Sequence, residues 1–69
     1  MKVENRNSPR SLSFDQAVEA WLRYWDGEYQ DRIAASFDVN PGRVNEVVKR
    51  RKHVGSEAVA MAKRNDTVH

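Results

Sequence analysis

The chain has 69 residues, 12 lysines and arginines against 10 aspartates and glutamates, a net charge of +2 and no cysteine. That is one small domain with a modest core, without a disulfide or a thiolate metal site to staple it, so tight helix packing or a second copy of the chain is the expected supplement. No apolar run approaches the roughly 18 residues of a membrane span, and the opening MKVENRNSPRS has no apolar core of the kind a signal peptide needs, which makes a cytoplasmic protein the expectation.

Residues 1–11 have no periodicity and are rich in Asn, Ser, Arg and Pro. They read either as a flexible tail or as a basic arm (Lys2, Arg6, Arg10) that touches a nucleic acid. Ser13 to Asp26 is the clearest helix. Ser13 and Gln16 form a capping-box pattern. Phe14, Ala17, Val18, Trp21, Leu22 and Trp25 recur at helical spacing as one apolar stripe. The two tryptophans read as core residues, Tyr24 lies off the stripe, and Gly27 fits a left-handed helix end.

A second helix is expected over Glu28 to Phe37, with Ile33, Ala34 and Phe37 inward, and a turn over Asp38 to Asn40. Asn40-Pro41 is a helix-start signal, Asn as N-cap and Pro at the first helical position. A third helix is expected over 41–52, with Val44, Val47 and Val48 inward and Arg51 on the same step. Val54-Gly55 breaks the pattern. Ser56 fits the cap of a fourth helix running to Lys63, with Ala58, Val59, Met61 and Ala62 as its apolar face. Arg64 to His69 reads as a frayed end. The expected organisation is a flexible tail at 1–11, a folded domain at 12–63 and a second tail at 64–69. The expected fold class is all-α, a small three- to four-helix bundle containing a helix-turn-helix.

Charge is unevenly placed. The first helix carries Asp15, Glu19 and Asp26 against Arg23, whereas Arg43, Lys49, Arg50, Arg51 and Lys52 stand against Glu46 alone. A basic end on a short helix is an asymmetry that phosphate binding uses; it also complements the helix dipole. Two short helices meeting at a tight turn, apolar inside and polar to basic outside, is the layout that presents one helix to the major groove of DNA.

On Gln30, Ile33-Ala34, Phe37-Asp38-Val39, Val44 and Val47, the stretch from Gln30 to Lys49 resembles the helix-turn-helix regulators of bacteria and phages, of the Cro and repressor type. The likeness covers about a third of the chain. It departs at Asp38, where these regulators usually have glycine; Asp adopts the left-handed conformation more readily than most residues. Small proteins of this design often come from phages or transferable elements.

The resemblance implies that residues at the start and on the outer face of the recognition helix meet base edges: Asn40, Arg43, Asn45, Glu46 and Lys49, with Asn45 suited to adenine, Glu46 to cytosine N4 and Arg43 to guanine or a phosphate. Pro41 and Gly42 have little to donate. The resemblance places a phosphate contact at Gln30, heading the first helix of the motif. From the basic run, Arg50, Lys52 and His53 are the further phosphate candidates, with Lys49, Arg50 and His53 favoured if the run is helical.

Catalytic chemistry has little to stand on. His53 and His69 have no cluster around them for a metal, there is no Gly-rich phosphate loop, and Ser13, Ser36 and Ser56 have no base at a recognisable spacing. Asp26, Glu28 and Asp31 read as helix-start and loop charges. No enzyme, cofactor, metal or small-molecule ligand is expected.

The expected function is that of a sequence-specific transcriptional regulator. A repressor is expected, since the chain has no ligand or activation segment. It would bind double-stranded DNA as a homodimer on an inverted repeat, because one recognition helix reads only a few base pairs. Two other readings stay open. One is a protein-interaction module of antitoxin or anti-activator type, which an apolar outer face on the third helix would favour. The other is an architectural or excision-directing protein that bends DNA.

Overall fold

The computed structural model describes residues 11–67, which form four helices: α1 (Phe14–Trp25), α2 (Gln30–Phe37), α3 (Pro41–Val48) and α4 (Ser56–Thr67). The domain is all-α. α4 packs along α1, α2 packs on α3, and both helices of that pair rest on α1. Lys2, Arg6 and Arg10, the residues of the expected basic arm, lie outside the described residues.

The start of α1 is built as its pattern predicts. The Ser13 hydroxyl accepts from the Gln16 N–H at 3.1 Å, and the Gln16 side chain accepts from the Ser13 N–H at 2.9 Å. Leu12, just before the cap, is buried in the same core as Ala17, four residues after the cap, the placement of a hydrophobic staple. The buried stripe runs through Ala17, Val18, Ala20 and Trp21, with Leu22 and Trp25 half-buried beside it. Two details differ from the expectation: Phe14 sits on the rim and Ala20 is fully buried. Ala17, Ala20 and Trp21 form the i, i+3, i+4 line that faces the core, and an alanine there lets another element approach closely.

Three helices end in the same way. Around Gly27 (φ 95°), the Gly27 N–H donates to Tyr24 O and the Glu28 N–H to Arg23 O. Around Asp38 (φ 58°), the Asp38 N–H donates to Ala35 O and the Val39 N–H to Ala34 O. Around Arg50 (φ 61°), the Arg50 N–H donates to Val47 O and the Arg51 N–H to Glu46 O. Each is a Schellman-type stop at a left-handed residue, which satisfies carbonyls the helix leaves unpaired.

The third stop corrects the expected helix at 41–52. α3 is eight residues long and ends at Val48, so the basic run Lys49-Arg50-Arg51-Lys52-His53 is a loop. Its residues do not follow helical spacing. α2 likewise begins at Gln30 rather than Glu28, because the Glu28 backbone closes α1.

α4 begins at Ser56 as expected and corrects the expectation at its far end and in its buried face. It continues to Thr67, so residues 64–67 are helical rather than a frayed end. Its buried face is Ser56 and Ala60; Ala58, Val59, Met61 and Ala62 are exposed or only partly covered. The rotation follows from Ser56, whose hydroxyl does not cap the helix. It accepts a hydrogen bond from the Trp21 indole N–H at 3.0 Å, deep between α1 and α4.

Candidate nucleic-acid interface

The α2–turn–α3 unit is held from beneath. Ile33, Ala34, Val44 and Val47 are almost wholly buried, and Val48, Phe37 and Val39 complete the apolar floor. Arg23 on α1 fastens α2 from the side. Its guanidinium makes a bidentate pair with Glu28, donates from Nη1 to Ser36 Oγ at 2.6 Å and lies over the Phe37 ring. The Ser36 hydroxyl in turn donates to Ile33 O. These contacts, with the shared apolar floor, tie the α2–turn–α3 unit to α1.

With its valines inward, α3 turns Arg43, Asn45 and Glu46 outward, flanked by Asn40 at its start and Lys49 at its end. Asn40 is the N-cap: its Oδ1 accepts from the Gly42 N–H at 2.8 Å, leaving the amide NH₂ to donate elsewhere. A Cβ at Gly42 would stand 3.2 Å from that capping oxygen, so the glycine is accounted for by the cap itself.

Arg43 and Glu46 form an i, i+3 ion pair at 3.5 Å, both partly solvated. A pair this loose is worth little in water, so either partner is free to exchange it for another. Asn45 Nδ2 donates to Gln30 Oε1 at 3.3 Å, which joins the outer face of α3 to the first residue of α2. The N-cap of α2, Tyr29, gives no side-chain hydrogen bond to the first turn. Gln30 therefore stands at a helix start that no side chain caps.

The structure brings Asn40, Arg43, Asn45, Glu46, Lys49 and Gln30 onto the α2–α3 side of the molecule. Arg50 and His53 each make contacts within the domain. The Arg50 guanidinium pairs with Glu57 on α4, Nε to Oε1 at 2.7 Å and Nη2 to Oε2 at 3.0 Å, and lies 5.7 Å from the centre of a Trp21 ring. The hydrogen bond from Arg50 holds the Glu57 carboxyl below its ordinary pKa. His53 has a left-handed backbone (φ 51°), its Nε2 bonds Leu12 O at 2.8 Å, and its ring stands edge-on to Phe14. Because a carbonyl only accepts, Nε2 carries the proton. Both side chains join the loop to the body of the domain, Arg50 to α4 and the Trp21 ring of α1, His53 to Leu12 and Phe14 at the start of α1.

Lys49, Arg51 and Lys52 are exposed and enter no ion pair among the described residues. Helical spacing puts Arg51 on the valine side; with α3 ended at Val48 it is exposed instead.

No group of His, Asp and Glu able to hold a metal ion occurs among the described residues, and no helix there is long and apolar enough to cross a membrane. Two open grooves, about 310 and 550 Å³, are lined by α1 and α4 residues alone. Compared with known protein families, with curated proteins and with solved structures, the chain matches none.

Proposed function

We propose that the protein is a sequence-specific DNA-binding regulator of repressor type, with α3 seated in the major groove. The observation that carries this reading is the division of α3. Every valine of the helix is buried, and the side it turns to solvent offers Arg43, Asn45 and Glu46 between Asn40 and Lys49, with no large apolar side chain among them. Amide, guanidinium, carboxylate and ammonium groups are those that pair with base edges and phosphates. A helix built to dock on a protein would present an apolar stripe there instead, and the exposed apolar residues of this domain lie elsewhere, at Phe14, Tyr24, Tyr29, Val54, Val59 and Met61. This distribution argues against the antitoxin-like or anti-activator reading.

An eight-residue helix spans about 12 Å and reads only a few base pairs, so affinity and specificity together call for two copies on an inverted repeat. The surface suited to the second copy is the α1–α4 side, where Trp25, Met61, Tyr24 and Val59 are partly or largely exposed. Bound across a promoter, such a dimer excludes polymerase. Selection of bound sequences from a random duplex library tests the reading. It predicts a palindromic consensus with half-sites about one helical turn apart; recovery of unenriched sequence would refute it.

A further inference from the structure

Five consecutive basic residues, Lys49-Arg50-Arg51-Lys52-His53, follow α3. We infer that they are two interleaved sets, a latch and a clamp. Arg50 and His53 form the latch that fixes the loop to the body of the domain, and Arg51 and Lys52, continuing from Lys49, form a phosphate clamp on the DNA backbone beside the recognition helix. The inference rests on the DNA-binding reading and assigns the backbone contact to a residue, Arg51, that the helical reading of this run turned inward.

The backbone sorts the residues. Arg50 and His53 both have positive φ, 61° and 51°, a conformation that is unfavourable for L-residues and persists where surrounding contacts hold it. Those contacts are present at both positions. Arg50 is bound at two nitrogens to Glu57 and lies over Trp21; His53 is bound to the Leu12 carbonyl and packs on Phe14. The latch therefore reaches three places: the N-terminal edge of α1, its middle, and the first turn of α4.

Charge sorts them in the same way. Glu57 sits against the Arg50 guanidinium, so to a distant phosphate the two are nearly a dipole rather than a cation. No acid stands against Lys49, Arg51 or Lys52 among the described residues. The Schellman stop at Arg50 also turns the chain sharply away from the α3 axis. Arg51 and Lys52 thus leave the helix end as an exposed loop instead of winding back beneath the valines. Loose, solvated cations at a fixed place next to a groove-binding helix suit a polyanionic backbone, whose charges recur every few ångströms and demand no exact partner.

Salt dependence separates the sets, since each phosphate neutralised adds about 0.9 to the slope of log K against log salt on duplex DNA. The probe is a random-sequence duplex titrated with the full chain over a sodium chloride series, below the melting temperature of every variant. Arg51→Gln and Lys52→Gln are expected each to flatten the slope by up to about 0.9 and to leave the melting temperature unchanged. Arg50→Gln, and Arg50→Lys, which keeps the charge, are expected to lower the melting temperature and to leave the slope of the folded protein as in the wild type. Flattening by Arg50→Gln equal to that by Arg51→Gln, with unchanged melting, would overturn the division between latch and clamp. Absence of salt-dependent binding by the wild-type chain would instead remove the DNA-binding reading and this inference with it.

Discussion

Ser56 is the residue on which the packing of α4 turns. It is fully buried, and its hydroxyl satisfies the Trp21 indole N–H. A buried donor without a partner costs more than the net gain of making the bond. Ser56→Ala is therefore expected to destabilise the domain by about 1–3 kcal/mol. Trp21→Ala, which also removes a ring contacting Tyr24 and Trp25, is expected to cost about 3–5 kcal/mol. Chemical denaturation of both variants checks the order. A Ser56→Ala protein as stable as the wild type would mean that the indole N–H finds another acceptor.

At the scale of elements, three helix stops and two ion pairs decide how the helices meet. Gly27 closes α1 at φ 95°, where a side chain has space around it but a strained backbone. Gly27→Ala is expected to lower stability by about 1–2 kcal/mol, read as a lowered melting temperature. The ion pairs carry a pH signature. Glu28 and Glu57 are each held below the ordinary glutamate pKa, first of all by the hydrogen bonds from Arg23 and Arg50. A depressed folded-state pKa means that the unfolded chain binds the extra proton. The contribution is fully present above the ordinary glutamate value and is lost as pH falls through that value toward the lower one of the folded state. Between about pH 6 and about pH 3, the melting temperature of the wild type is expected to fall more than that of Glu57→Gln. Equal falls would show that the Arg50–Glu57 pair does not contribute.

Much of this architecture was legible in the sequence, and the reasons are specific. The Ser13–Gln16 box, Gly27, the Asn40-Pro41 start and the valine spacing of α3 are local signals with local causes, and the structure has each of them in place. The end of α3 was not legible, because its stop falls on an arginine. Arginine favours helices, and its left-handed backbone here accompanies a bond to Glu57, seven residues further on. The inward face of α4 was hidden for a related reason: one of its two buried residues is a serine, whose hydroxyl is the acceptor for Trp21, 35 positions earlier. Long-range partners of this kind leave no periodic trace. For the candidate interface, residue types and spacing pointed to the outward residues of α3, while the contacts of Arg50 and His53 go with left-handed backbones that spacing does not show.

At the scale of the whole molecule, polar and apolar exposure fall on different helices. α3 shows solvent a mixed set of hydrogen-bonding groups, while α1 and α4 leave Tyr24, Trp25, Val59 and Met61 partly uncovered. A dimer through α1 and α4 would leave both copies of α3 free, and it would supply the burial that a chain of this size lacks alone. The central claim is that the outer face of α3 reads bases. Its most direct test is the affinity of Asn45→Ala and Arg43→Ala for the selected duplex and for random duplex, measured at one salt concentration. A base-reading α3 is expected to lose about 1–3 kcal/mol on the selected site with little change on random DNA. An equal loss on both duplexes, or none on either, would contradict it.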